Sequence, residues 1–229
     1  MSGLAEGVLA LSLGLLTAAL TFLTVRGIAR YRENPGRPQL AWTSGLGLAA
    51  AAMAVETLVY VGVASSAILE IYVFLSAAIV GVLSLGAARV LRRATLERGY
   101  AAYVAATNVV LAAGCALVPI VPSSMVQGGI IVGEPPLLLV VLSTLVTGPA
   151  TIVLLGSAAL SLRRTWRWQT LLLVAGALVL GAGGTLYIAS FPIALYYAEF
   201  LGIVLLFFGL ISLPKTAPAA SAGTLATHA

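Results

Sequence analysis

All twelve positive charges of this 229-residue chain fall into four short clusters spaced by long apolar stretches. The clusters are Arg26/Arg30/Arg32/Arg37, Arg89/Arg92/Arg93/Arg98, Arg163/Arg164/Arg167 and the single Lys215. Each cluster lies beyond an odd-numbered apolar stretch: the first, third, fifth and seventh. A chain that crosses a bilayer once per stretch therefore puts every cation on one face. That is the positive-inside bias, and it predicts an N-terminus outside and a C-terminus in the cytoplasm.

The stretches run 7–25, 40–63, 67–91, 101–121, 137–162, 170–189 and 193–213. Each is about 20 residues, enough to cross ~30 Å of hydrocarbon as a helix. Backbone groups in lipid must be satisfied internally, and the alternation of a barrel is absent, so the expected fold class is all-α: a polytopic membrane protein with seven transmembrane helices. Composition agrees. The chain is 61% hydrophobic and 8% charged, with a mean hydropathy of +1.10, whereas soluble domains carry about 25% charged residues. Residues 1–214 read as one seven-span domain, and 215–229, small and polar, as a disordered cytoplasmic tail. The segment ahead of the first span carries Glu6 and no basic residue, the pattern of a retained span and not of a cleaved signal peptide. The expected location is the plasma (cell) membrane, with the lipid bilayer as first partner. Arginines facing anionic lipid account for the net charge of +5, so nucleic acid is not an expected partner.

The connections carry information too. Residues 64–66 and 190–192 make tight turns between spans two and three and between spans six and seven. The longest connection on that side is PSSMVQGGIIVGEPP, residues 122–136, too short for a domain but long enough to form a lid. A weak repeat at an offset of 128 pairs Thr57-Leu58 and Tyr60 with Thr185-Leu186 and Tyr187, and Gly81–Gly86 with Gly209–Pro214. It suggests a 3+1+3 parallel repeat; chance similarity between Leu- and Gly-rich helices explains the same matches equally well.

Candidate chemistry comes down to glutamate. The chain has seven Glu and no Asp. Glu33 and Glu97 lie among the arginines, and Glu6 and Glu134 at the opposite surface. Glu56, Glu70 and Glu199 fall inside spans two, three and seven, all in the outer half of the bilayer. A charge within a span costs about 2.5–3.5 kcal/mol on insertion scales and points by default to a functional site. Tyr60 follows Glu56 by four residues and Tyr196 precedes Glu199 by three, so each pair shares a helix face. Tyr187 lies at similar depth. Glu56, Glu70, Glu199, Tyr60, Tyr187 and Tyr196 are therefore the candidate binding residues, for a proton, a cation or a small amine-bearing solute. Alternatively, Glu70 is an interfacial residue near its helix start, and Glu56 and Glu199 are protonated groups joining helices through tyrosines.

Several chemistries are excluded. His228 in the tail is the sole histidine and Cys115 the sole cysteine, so intramembrane haem, copper or zinc sites are not expected, nor is a disulfide. No cofactor is expected and catalysis is not; the one exception kept open is an enzyme acting on lipid. The seven-span plan is similar in outline to microbial rhodopsins, but Lys215 lies past the last span and no lysine is within it. The three-plus-one-plus-three plan is similar to that of sugar-transporting SWEET proteins, whose proline pairs are missing here; Pro149 and Pro119 are the internal prolines. Such likeness implies architecture and no function. The leading expectation is a small integral membrane transporter or solute-binding protein. The alternative is a non-catalytic subunit or assembly factor of a larger membrane complex, with homo- or hetero-oligomers as possible states.

Overall fold

The computed structural model describes residues 3–33, 35, 37–90, 94–131, 133 and 135–164, and in the C-terminal third residues 171–172, 175–176, 179, 198, 200–205 and 208–209. Long helices dominate: α1 (Gly3–Glu33), α2 (Arg37–Tyr60), α3 (Ser66–Val90), α4 (Ala94–Leu117) and α6 (Leu137–Arg164), with a single-turn α5 (Pro122–Met125) and a small hairpin, β1 (Val126–Gln127) and β2 (Ile130–Ile131), between α4 and α6. Five helices are long and apolar enough to cross a membrane, matching the first five expected spans. The described residues between 171 and 209 are helical as well. Among the described residues the chain is mostly helical and of membrane type; the sixth and seventh spans, the repeat partners in them and the tail lie largely outside the described residues.

Two boundaries move furthest, each for a local reason. The first helix runs on to Glu33 and carries Arg30 and Arg32 in its last turn, where cations meet the negative end of the helix dipole. The fourth begins at Ala94, seven residues before the expected span, with Glu97 in its first turn. Charged residues therefore extend both helices past the apolar run.

At the other end of the molecule, α2 stops at Tyr60 because Gly62 takes φ +94°. The Gly62 amide donates to Val59 O at 3.0 Å and the Val63 amide to Leu58 O at 3.0 Å. This paired C-terminal closure uses the left-handed region that glycine enters without penalty. Ser65 then opens α3, its Oγ accepting the Ile68 amide at 3.3 Å. The tight turn expected here is thus a glycine stop followed by a serine start.

Helix α3 is central, packing against α2, α4 and α6, while α1 lies on α2. One apolar cluster joins Val59, Leu69, Val73, Ala77, Leu111, Leu139 and Val146 with Met125 and Ile131 of the α4–α6 connection. A second joins Leu13, Leu16, Leu20, Leu46, Ala49 and Met53 with Ile203 from the seventh expected span. Outward positions are also apolar, including Leu15, Phe22, Leu58, Val109, Leu117, Leu137 and Ile152. A surface of that kind suits hydrocarbon and not water.

Small residues set the helix spacing. A Cβ at Gly86 would collide with the Trp42 indole, so α2 and α3 approach as closely as a bare backbone permits. Trp42 is buried with Leu83, Ala87 and Leu154. Its position near the arginines suggests an interfacial belt residue; instead it fills the interior between α2, α3 and α6.

Candidate functional site

Hydroxyls in this bundle mostly bond their own helix. Thr17, Thr21 and Thr24 donate to Leu13 O, Thr17 O and Leu20 O at 2.9, 2.8 and 2.8 Å, and Thr57 to Met53 O at 2.8 Å. Back-bonding of this sort lets polar side chains sit in an apolar medium. The three hydroxyls of α1 are therefore satisfied within their own helix, and Thr17 also reaches α2 through Thr57 at 3.4 Å between hydroxyl oxygens.

The proline break in α6 is likewise satisfied. Pro149 has no amide hydrogen for the carbonyl four residues before it, that of Leu145. Tyr103 on α4 donates its hydroxyl to Leu145 O at 2.6 Å. Its ring stacks on Tyr100 with centroids 6.4 Å apart, and Tyr100 shares a 2.6 Å hydroxyl contact with the fully buried Ser84 of α3. The carbonyl that Pro149 leaves without its intrahelical donor is thus occupied by a neighbouring helix.

Against this background Glu56 stands out. It is 3% exposed, in the last turns of α2. Met53, three residues before it, belongs to the α1–α2 cluster, and Val59, three after, to the α3–α4–α6 cluster. Glu56 therefore lies on the seam between the two apolar clusters. Tyr60, on the same face, packs at the edge of the α1–α2 cluster, as do Ile130 and Phe200.

Glu70 has another setting. It stands four residues into α3, as Glu56 stands four residues before the end of α2, so both lie about 6 Å inside the same end of the bundle. Glu70 is only half-buried. It accepts the Ser66 hydroxyl at 2.6 Å, and Ser66 Oγ accepts the Ile120 amide at 3.0 Å. Cys115 of α4 lies within electrostatic reach of it. The carboxylate is thus turned toward α4 and the start of the α4–α6 connection, and it holds a serine that in turn holds a backbone amide. Among the described residues, no three His, Cys, Asp or Glu side chains converge. Glu199, Tyr187 and Tyr196 lie outside the described residues.

Over this end of the bundle sits the hairpin. Val126 pairs with Ile131 and Gln127 with Ile130, joined by Gly128 and Gly129 at φ +60° and +79°. Two consecutive positive φ values define the primed two-residue turn that matches strand twist, and glycine supplies both. Gly129 backs onto Tyr60: a Cβ there would lie 3.3 Å from the Tyr60 carbonyl oxygen. Ile131 and Met125 are buried in one cluster, while Ile130 packs on the other. Strand β2 therefore straddles the seam that contains Glu56, its adjacent residues Ile130 and Ile131 packing on different clusters. The expectation of a lid falls on this segment. What the sequence reading missed is its strand character, signalled by Gly-Gly between Val-Gln and Ile-Ile (VQGGII), and the part of Ser66 and Ile120, for which no sequence signal exists.

Comparison with protein families, with characterised proteins and with solved structures returns no match.

Proposed function

We propose that the protein is a small integral membrane transporter or solute-binding protein whose binding residue is Glu56. One observation carries this reading: a carboxyl group 3% exposed on the seam between two apolar clusters of membrane-type helices. A titratable side chain in such a place is costly, and the established uses of one are proton binding, cation binding and relay. Tyr60 on the same face supplies a phenol, and Glu199 with Tyr187 and Tyr196 would complete the site from the seventh and sixth spans. The ligand class is a proton, a monovalent cation or a small amine. The arginine clusters support an orientation with the Glu56 end outside and the arginine end in the cytoplasm.

The test is flux in proteoliposomes containing a pH-sensitive dye, challenged with monovalent cations and small amines. Glu56→Gln is expected to lower flux or coupled proton movement at least tenfold, with helical content unchanged. Unchanged flux in both Glu56→Gln and Glu199→Gln sinks the assignment.

A second reading applies to Glu70. Its bond to Ser66, and through it to Ile120, favours a structural role at the helix start. If the chain is a subunit of a larger complex, Glu56 has that structural role too, and Gln variants change co-purification of stoichiometric partners and not flux.

A further inference from the structure

The described residues between 118 and 136 form a unit closed on itself. The Gly133 amide donates to Met125 O at 3.0 Å, tying the end of the hairpin back to α5. Gly133 approaches Ser124 O and Met125 Cα so closely that any Cβ would overlap them. Compact loops with joined ends behave as single bodies and are often functional. Prolines mark both junctions with the bundle: Pro119 and Pro122 after α4, Pro135 and Pro136 before α6. The hairpin has only two residues per strand, below the size that is stable alone, so its position depends on what it packs against. Those contacts are Met125 and Ile131 in one cluster, Ile130 in the other, and the Ile120 amide on Ser66.

We propose that the α4–α6 connection is a hinged lid over Glu56, latched in the closed position by the Ser66–Glu70 pair through the Ile120 amide. The proposal rests on the binding role assigned to Glu56. The lid covers the seam in which Glu56 is buried, so solute from that side reaches the carboxyl group when the unit swings on its proline junctions. Ile120 is the last residue but one before α5, and it is itself buried, at 1% exposure. Its amide must have an acceptor while buried, and Ser66 Oγ is that acceptor. Ser66 is oriented by donating to Glu70, a charge-assisted bond at 2.6 Å. Glu70 thus gains a use distinct from that of Glu56: it fixes the cover and leaves the binding to its neighbour.

The test reads access directly. Intact protein in nanodiscs is treated with a water-soluble carbodiimide and glycine ethyl ester, and amide formation at each glutamate is followed by mass spectrometry. Exposed Glu33 serves as the internal reference. Ser66→Ala removes the latch, and Ile131→Ser weakens the seat of the hairpin. Ser66→Ala is expected to raise the Glu56 labelling rate relative to Glu33 on the order of tenfold, the scale of one buried amide losing its acceptor, and Ile131→Ser to raise it by a similar factor through lost apolar burial. Glu70→Gln keeps an acceptor for Ser66 and is expected to raise it less than Ser66→Ala does. Hydrogen exchange on the unmodified protein gives a second measurement that requires no variant to fold. Amides of 122–131 are expected to exchange at least tenfold faster than those of the α2 and α3 interiors, in one concerted step. Equal Glu56 labelling in wild type and both loosened variants overturns the lid, as does exchange of 122–131 as slow as that of the helices. Loss of flux on Glu56→Gln together with unchanged labelling would remove the lid and keep the binding site; the reverse pattern would remove the binding site and keep the lid.

Discussion

Tyr103, Pro149 and the Leu145 carbonyl show how one residue can neutralise a defect on another helix. A proline in a membrane helix leaves a carbonyl that lipid cannot satisfy. Tyr103→Phe is therefore expected to destabilise the bundle by about 1 kcal/mol, in the range found for hydrogen bonds between membrane helices. Reversible unfolding in mixed SDS–detergent micelles measures this. In a Pro149→Ala background the new alanine offers its own amide to the Leu145 carbonyl, so the same Tyr103→Phe change should cost close to nothing. A cost equal in both backgrounds would separate the tyrosine from the proline. Glu56 lies between two apolar clusters, where its carboxyl group can be neutralised without changing its shape. Glu56→Gln keeps the volume and a hydrogen-bonding head group and removes the titratable proton, so it is expected to leave thermal stability close to wild type while lowering any Glu56-dependent flux. A marked loss of stability would instead support the structural role.

At the scale of elements, glycine placement determines which helices touch. Gly86 gives room for the Trp42 ring, and Gly86→Ala is expected to cost about 1–3 kcal/mol through overpacking. Trp42→Leu in the same chain should recover much of that loss, which a double-mutant cycle in the same unfolding assay would read. Gly62 differs: nothing crowds a Cβ there, but its φ of +94° penalises any side chain, so Gly62→Ala is expected to cost about 1 kcal/mol through the backbone alone. The sequence announces elements of this kind unevenly. Five long helices are legible because lipid demands about twenty apolar residues in a row, and little else satisfies that demand. Their ends are less legible where charge replaces hydropathy, as at Arg30–Glu33 and Ala94–Arg98. The hairpin escapes a hydropathy reading because residues 122–136 are legible there only as a connection between spans; the Gly128-Gly129 pair between Val126-Gln127 and Ile130-Ile131 is the signal that distinguishes it. The depth of Glu56 and Glu70 follows from counting along a helix. Which way each faces does not, because the link from Glu70 to Ile120 spans about fifty residues of chain and is made by tertiary packing.

For the whole molecule, the charge distribution gives it a polarity that reporter fusions can test. A reporter active only in the cytoplasm, placed within the loop between α1 and α2 or after α6, is expected to be active; one placed in the 122–136 connection is expected to be silent. The reverse result would invert the molecule and put Glu56 on the inner side. Membrane character and helical class are secured by the five apolar helices and by the apolar surface they present, whichever way the chain is inserted.

The Trp42–Gly86 contact has a kinetic meaning as well as a packing one. Away from the hairpin end, α2, α3 and α6 meet on a single indole with no room to spare. Under the transport reading proposed above, a solute moving between these three helices requires Trp42 to leave its notch. With Trp166 and Trp168 replaced by Phe, a red shift of the remaining tryptophan emission during turnover would catch that step. A spectrum fixed throughout ligand binding would mark a protein that captures and presents its ligand and does not carry it across.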